Sequence, residues 1–525
     1  MSQRPLGAQI SHMLKDRGVE VIFGIPGVHN QEMYRGIEEA GLTHVLTRHE
    51  QGAGFMADGY ARATGRPGVA YVITGPGLCN IMTPMGQTYS DSVPMLVITS
   101  CLDDVTATRG QLHQMLDQEG AAATVCDWSQ TARTHAQAYA LIDRAFAEFA
   151  VGRNRPKHIT VPISVLEADA PPAPPKAATF RRSAAEGAFG IDALLAASKR
   201  PMFIFGGGAK AAAGQAALLA ERTGAASFTT YAGRGIMPPE SPLNFGSFLA
   251  RPSSADMIAK ADLVIAIGTE LSEVDLWRDD LGHTGQLVRV DIDPEVLADR
   301  HAADVVALAD AGGFMTALLA ALPEAALQSE WTPQEVTAAR TQWRAEIDAE
   351  RPGLLPVIDA LREVFPAQAY VYTDMTQFAY AAKEVWDMPV AGHWHHPYGF
   401  GTLGYGLPAA IGGKIARPEA DVIAIAGDYG FQYSLQELMV AVELSLTLPI
   451  IIWDNGKLGE IEDSMIRAQI APNAVIQQNP NFVQLAAAYG AATAAPKTLD
   501  ALQDAVRAAL GAKGPTVIHV TAGIC

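Results

Sequence analysis

Val422-Ile423-Ala424-Ile425-Ala426-Gly427-Asp428-Tyr429-Gly430 is an apolar run that ends in two glycines around an acid. A second run, Ile450-Ile451-Ile452-Trp453, ends in Asp454-Asn455-Gly456-Lys457. Short, continuous apolar runs alternating with helical patterns read as buried strands of a parallel sheet. Such sheets bind ligands just beyond the carboxyl ends of their strands. If the two strands are neighbours, Asp428 and Asn455 stand side by side at that edge. A carboxylate and an amide oxygen form a hard-oxygen pair suited to Mg²⁺ or Ca²⁺. Gly427 and Gly430 let backbone amides approach, and a following helix turns its positive end toward a phosphate. The plainer alternative makes Asp428 a helix cap and Asn455-Gly456 a turn. Both features together, at strand ends 27 residues apart, favour the site.

The same alternation extends through the chain. Val69 to Thr74 and Met95 to Thr99 read as strands, with a helix through Met85 and Tyr89 between them. Met202 to Phe205, Leu263 to Ile267 and Leu287 to Ile292 follow, and a helix from Leu435 to Leu444 precedes Ile450. The Pro/Ala run Ala168 to Lys176 can form neither helix nor ladder and marks a linker. A polar helical stretch with Trp331 and Trp343, between Ala321 and Pro356, marks a second boundary. The expected architecture is α/β, three doubly wound parallel-sheet domains over residues 1–168, 182–322 and 353–525.

Composition narrows the function classes. The 525 residues carry a net charge of −18, which argues against nucleic-acid binding. No window of 18 apolar residues suggests a membrane span, and the N-terminus lacks an apolar signal core. Cys79, Cys101, Cys126 and Cys525 fall in no metal or disulfide spacing, as expected of reduced thiols in a cytoplasm.

Arg48-His49-Glu50-Gln51-Gly52-Ala53-Gly54 follows a short strand, Val45 to Thr47, so Glu50 opens a helix rich in Gly and Ala. Such a helix lets another surface pack closely against it. Taken alone, Glu50 is only an acid favoured at a helix N-terminus. Taken with the Gly427-Asp428 to Asn455 spacing, the chain resembles the thiamine diphosphate (ThDP) enzymes. In that family the resemblance makes Asp428, Asn455 and the Lys457 carbonyl the ligands of a divalent metal, Mg²⁺, that holds the cofactor's diphosphate. Tyr429 departs from the family's second glycine. Glu50 falls on the acid that activates the aminopyrimidine, a task for a carboxyl shielded from water with a raised pKa.

Gly24-Ile25-Pro26-Gly27, Thr74-Gly75-Pro76-Gly77-Leu78-Cys79-Asn80 and Gly401-Thr402-Leu403-Gly404 resemble the acetolactate synthase and 2-oxo acid decarboxylase branch. The resemblance covers the whole chain, ordered as pyrimidine-binding, central and diphosphate-binding domains. It implies cofactor contacts from Gly24, Pro26, Gly27, Glu50, Thr74, Gly75, Asn80, Gly401, Leu403, Gly427, Asp428, Tyr429, Gly430 and Asn455. It places Leu403 under the bent cofactor, and it implies a homodimer or homotetramer with each site shared between subunits. Gly206-Gly207-Gly208-Ala209-Lys210-Ala211 is a loose dinucleotide pattern without the acid that should follow the next strand, Ser227 to Tyr231. Glu270 to Val274 lacks both arginines of the FAD signature of acetolactate synthases, so FAD is not expected.

His29, Glu50 and Gln118 are the catalytic candidates: His29 for proton transfer, Gln118 by approximate position; His113, His395 and His396 are weaker. Gly24 to His29, the Glu50 stretch and Gly459 to Met465 look most like the 5-guanidino-2-oxopentanoate decarboxylases. The implied reaction is decarboxylation of a 2-oxo acid through a C2 carbanion/enamine, with release of an aldehyde. The alternatives are an acetolactate synthase-like carboligase and a non-catalytic protein of the same fold. Glu460 and Asp463, three apart on one helix face, are candidate partners for a cationic substrate tail; a solvated acidic helix start is the alternative.

Overall fold

The computed structural model describes residues 3–103, 110–176, 180 and 187–524. The expected start of the central domain at residue 182, and Cys525, lie outside these. Three parallel six-stranded sheets follow one another along the chain. The first runs, edge to edge, Thr43–Leu46, Val21–Gly24, Gly68–Val72, Met95–Cys101, Lys157–Pro162 and Trp128–Thr131. The third runs Trp394–His395, Tyr370–Thr373, Val422–Gly427, Leu448–Asp454, Pro515–Thr521 and Ala492–Ala494. In both, strand order reverses beside the first strand. The crevice of the first sheet therefore opens between the loops after Gly24 and Val72, and that of the third between those after Thr373 and Gly427. The central sheet is built likewise around Pro201–Phe205 and Leu263–Ile267.

The stretch with Trp331 and Trp343 is a core element as well as a connection. Thr332 caps the Pro333–Glu350 helix, whose Val336, Ala339, Trp343 and Ile347 recur at helical spacing and are buried. Trp343 packs on Phe228, Phe245 and Phe248 of the central domain. The same apolar cluster continues to Phe365 and Val371 beneath the third sheet.

Two helices join the first and third domains. A side chain at Gly59 in the Glu50–Thr64 helix would reach 1.9 Å from the Ala409 carbonyl oxygen of the Gly406–Ala416 helix. One at Gly412 would reach 2.0 Å from the Met56 oxygen. The Gly/Ala richness downstream of Glu50 thus permits backbone contact with the C-terminal domain of the same chain. Beneath it, Arg62 is clamped by Asp58 (2.6 Å) and Asp91 (2.7 Å), and the Tyr405 hydroxyl donates to Asp58 (2.7 Å).

Candidate active site

Glu50 is the first residue of its helix. The ring nitrogen Nδ1 of the cap residue, His49, accepts the Gln51 N–H at 3.1 Å. The Glu50 carboxylate is buried, and Asn80 Nδ2 donates to its Oε2 at 2.9 Å. Asn80 lies one turn into the Pro76–Ser90 helix, which starts at Gly75. Gly75 has φ +67, and an added side chain would stand 2.4 Å from the His113 carbonyl oxygen. The sequence pattern Thr74-Gly75-Pro76 therefore fixes where Asn80 meets Glu50.

Gln118 is the brace of that loop. Its Oε1 accepts the Gly75 N–H at 3.0 Å, and its Nε2 donates to the Ser100 carbonyl, Thr160 Oγ1 and Thr99 Oγ1 at 2.7, 2.8 and 3.0 Å. The amide is spent on the scaffold. Thr74 is tied to Ser100 through both its N–H and its hydroxyl. Gly24 approaches the Tyr71 carbonyl too closely for any side chain, and Gly27 N–H donates to Asn30 Oδ1 at 2.7 Å beyond Pro26. His29 meets His113 edge to face at 5.0 Å, and both Nδ1 atoms are buried without a partner. Burial, then the neighbouring His113, push the His29 pKa down. His395 and His396 are buried and held well below the usual imidazole range; His396 pairs with Thr373 Oγ1 at 2.9 Å.

In the third sheet Gly427 is level with Trp453, so Asp428 and Asp454 are the side-by-side pair. The strand runs one residue further than its apolar run, to Asp454, and Asn455 follows it in the turn. Asn479 Nδ2 donates to Asp428 Oδ2 at 2.7 Å and to Asp454 Oδ1 at 2.8 Å. Burial, then the negative Asp454, raise the Asp428 pKa. Asn455 donates to Gln377 Oε1 at 2.8 Å, and its own Oδ1 accepts the Lys457 N–H at 3.2 Å. Among the described residues no three His, Cys, Asp or Glu side chains cluster as a metal site. Asp454 is taken by the His519 ring at 2.8 Å, whereas Asp428, with amide and carbonyl oxygens from the turn after the neighbouring strand, offers the hard donors a divalent cation takes.

Asp374 ties this edge to the loop of Gly401 and Leu403. It accepts the N–H groups of Met375, Gly404 and Gly406 at 2.8, 3.1 and 3.1 Å, while burial pushes its pKa up to about 6. A side chain at Gly430 would stand 2.9 Å from Asp374 Oδ1, so that glycine is required for space. Tyr429 is helical with an ordinary negative φ and packs on Tyr433, so no glycine is needed there. Gly401 has φ +65, and Leu403 is half-buried beside it.

Glu437 of the C-terminal domain is wholly buried against the Glu50 turn. Both its oxygens accept the Arg48 N–H, at 3.2 and 3.1 Å, and burial lifts its pKa to about 7. On the Gly459–Arg467 helix, Arg351 takes Glu460 through two bonds of 2.9 and 3.1 Å, and Lys457 takes Glu462. The acid pair expected at Glu460 and Asp463 is therefore reduced to Asp463, which among the described residues meets Gln377 Nε2 at 3.5 Å. Asp374, Gln377, Glu437, Asp454 and Asn479 carry no motif of their own. Asp374 and Asp454 had a signal, an acid at the carboxyl end of an apolar strand.

The glycines after the Pro201–Phe205 strand serve packing: a side chain at Gly206 would reach 2.2 Å from the Gly268 oxygen.

Three domains of the thiamine pyrophosphate enzymes match the chain: the N-terminal TPP binding domain at residues 4–121, the central domain at 191–318 and the C-terminal TPP binding domain at 374–520. The probable 2-ketoarginine decarboxylase AruI of Pseudomonas aeruginosa is 44% identical over 98% of this chain and 93% of its own. The chain belongs to the thiamine pyrophosphate enzyme family. Within it, the acetolactate synthase isozyme 1 large subunit of Escherichia coli is 28% identical, over 99% of this chain and 94% of its own. The probable acetolactate synthase large subunit of Methanocaldococcus jannaschii is 27% identical, over 97% and 90%. The protein is thus a ThDP-dependent enzyme of the branch that decarboxylates 2-oxo acids or joins their carbon skeletons.

Proposed function

We propose that the protein decarboxylates 5-guanidino-2-oxopentanoate, or a 2-oxo acid with a similar cationic tail, and releases the aldehyde. The observation that carries this reading is the full-length 44% identity to a probable 2-ketoarginine decarboxylase, against 27–28% to the two acetolactate synthases above. Asp463 supports it: it is a half-buried acid next to the Gln377–Asn455 pair and has no cationic partner among the described residues. A carboxylate so placed suits a guanidinium.

ThDP, held through Mg²⁺, supplies the carbon that adds to the 2-oxo group and accepts the electrons left when CO₂ departs. In this reading Asp428, Asn455 and the Lys457 carbonyl hold the metal. Gly427, Tyr429, Gly430, Gly401 and Leu403 border the diphosphate and the thiazolium. Gly24, Pro26, Gly27, Thr74, Gly75 and Asn80 shape the pyrimidine pocket. Glu50 exchanges a proton with the pyrimidine, Asn80 orients Glu50, and Gln118 acts through Gly75. His29 handles a proton near the reacting carbon. The pyrimidine-binding, central and diphosphate-binding domains are taken as residues 1–168, 182–322 and 353–525.

Among the described residues Glu50 and Asp428 share no hydrogen-bond partner, in keeping with a site built from two subunits of a homodimer or homotetramer; the enzyme is taken as cytoplasmic. A carboligase of acetolactate synthase type is the second reading, favoured by the near-complete coverage of those relatives. CO₂ release from a panel of 2-oxo acids, with ThDP and Mg²⁺ added, tests the substrate. The cationic acid should have the highest kcat/KM, and Asp463→Asn should raise KM for it alone. Equal kcat/KM for pyruvate would refute the substrate assignment.

A further inference from the structure

Arg234, after the Ala226–Thr229 strand of the central domain, is only 4% exposed. All three of its guanidinium nitrogens are buried without a hydrogen-bond partner. The guanidinium lies over the face of Trp394, 4.6 Å from the ring centroid, and Trp394 Nε1 is itself buried and unpartnered. Lys383, on the Gln377–Val385 helix, is also buried. Its ammonium sits 4.2 Å over the Tyr231 ring and forms no ion pair among the described residues.

Arginine cannot shed its proton, and a buried charge without a counter-charge is costly. Two of the nearby acids are held by other arginines, and the third, Asp275, by neutral donors. Glu384 is held by Arg251 through bonds of 2.6 and 3.0 Å, and Asp387 by Arg340 at 2.5 Å. Asp275 accepts from Ser272 at 3.0 Å and from the Tyr231 N–H at 3.4 Å. Two cations on facing elements of two domains are thus left against aromatic faces, with no direct ion pair among the described residues.

We propose that Arg234 and Lys383 form a binding site for a small oxyanion, a phosphate or carboxylate group, at the junction of the central and C-terminal domains. The planar guanidinium fork presents two parallel donors to such a group, and the ammonium adds a point charge. Burial first, opposed by the nearby Glu384 and Asp275 and aided by the positive Arg234 and Arg351, pushes Lys383 down to about 8. Trp394 starts the stretch that runs into Gly401, and the N–H groups of Tyr398 and Gly399 along it are held by Asp91. The anion would therefore tie the central domain to the segment that delivers the Gly401 loop. This inference stands whatever substrate the enzyme takes.

Calorimetry on enzyme saturated with ThDP and Mg²⁺, titrated separately with inorganic phosphate and with acetate, tests it. One equivalent per chain of at least one anion should bind, and the anion that binds identifies the group. Affinity should fall tenfold or more in Arg234→Met and in Lys383→Met. Without anion, Arg234→Met should melt no lower than wild type, because the substitution removes an unpaired buried charge. No saturable binding of either anion to the wild type, or wild-type affinity in both variants, would overturn the site. A variant that loses oligomeric state with anion affinity intact would do the same, since the missing counter-charge would then belong to a second subunit.

Discussion

Asn80 reaches from the Pro76–Ser90 helix of the first domain to Glu50 at the start of the Glu50–Thr64 helix, its amide 2.9 Å from the carboxylate. Two segments 30 residues apart are thereby fixed on one acid. Glu50→Gln keeps the size of the side chain and cannot exchange a proton. The variant should bind ThDP as the wild type does and lose about 10²–10⁴-fold in kcat, the usual worth of a placed acid or base. Cofactor affinity and turnover, measured on one preparation, check both halves.

Asp428 stands beside Asp454 with Asn479 bridging them, and Asp454 is paired with His519, which leaves Asp428 as the carboxylate for a cation. Asp428→Ala should abolish Mg²⁺-dependent ThDP binding while leaving the far-ultraviolet circular dichroism unchanged. Calorimetry showing unaltered affinity would remove the metal assignment.

Because Glu50 and Asp428 share no hydrogen-bond partner among the described residues, mixed oligomers discriminate sharply. Glu50→Gln and Asp428→Ala should each be inactive alone. Co-expressed, they should regain activity, since each mixed pair holds one site with both residues intact. Absence of recovery, with mixed oligomers verified, would place both residues of a site in one chain.

His158 is wholly buried between Thr99 Oγ1 (2.8 Å) and Ser129 Oγ (2.7 Å), under the threonine that holds Gln118. Burial lowers its pKa to about 3 from 6.5. The folded state keeps the ring neutral while the unfolded chain takes up the proton below pH 6.5. The resulting stability is complete above pH 6.5 and is lost as pH falls toward about 3. The slope is about 1.4 kcal/mol per pH unit. Denaturant titrations across pH 4 to 7 should show that slope, and His158→Gln should remove it.

Much of this was legible in the sequence, because parallel strands buried on both faces are continuous apolar runs and glycine appears wherever backbones touch. Val422 to Trp453 revealed the third sheet and its ligand edge in that way. The partners in space were not legible. Asp454 hides inside the Asp454-Asn455 pair until register sets it level with Asp428. Asn479, Gln377 and Glu437 come from distant loops or helices without a repeating pattern. The acid face of Glu460 and Asp463 was legible as a face, yet Arg351, more than a hundred residues earlier, neutralises half of it. Gln118 was legible only as a candidate; that its amide is consumed by Gly75, Ser100 and Thr160 is a property of packing alone.

The central claim is that this ThDP enzyme releases CO₂ and an aldehyde and does not join two carbon skeletons. The direct measurement is product stoichiometry with 5-guanidino-2-oxopentanoate and, separately, with pyruvate, each with and without ThDP and Mg²⁺. The account predicts CO₂ and guanidino-aldehyde in equal amounts, dependent on both additions, with pyruvate turned over far more slowly. Acetolactate from pyruvate as the dominant product, at a kcat/KM above that for the guanidino acid, would contradict it.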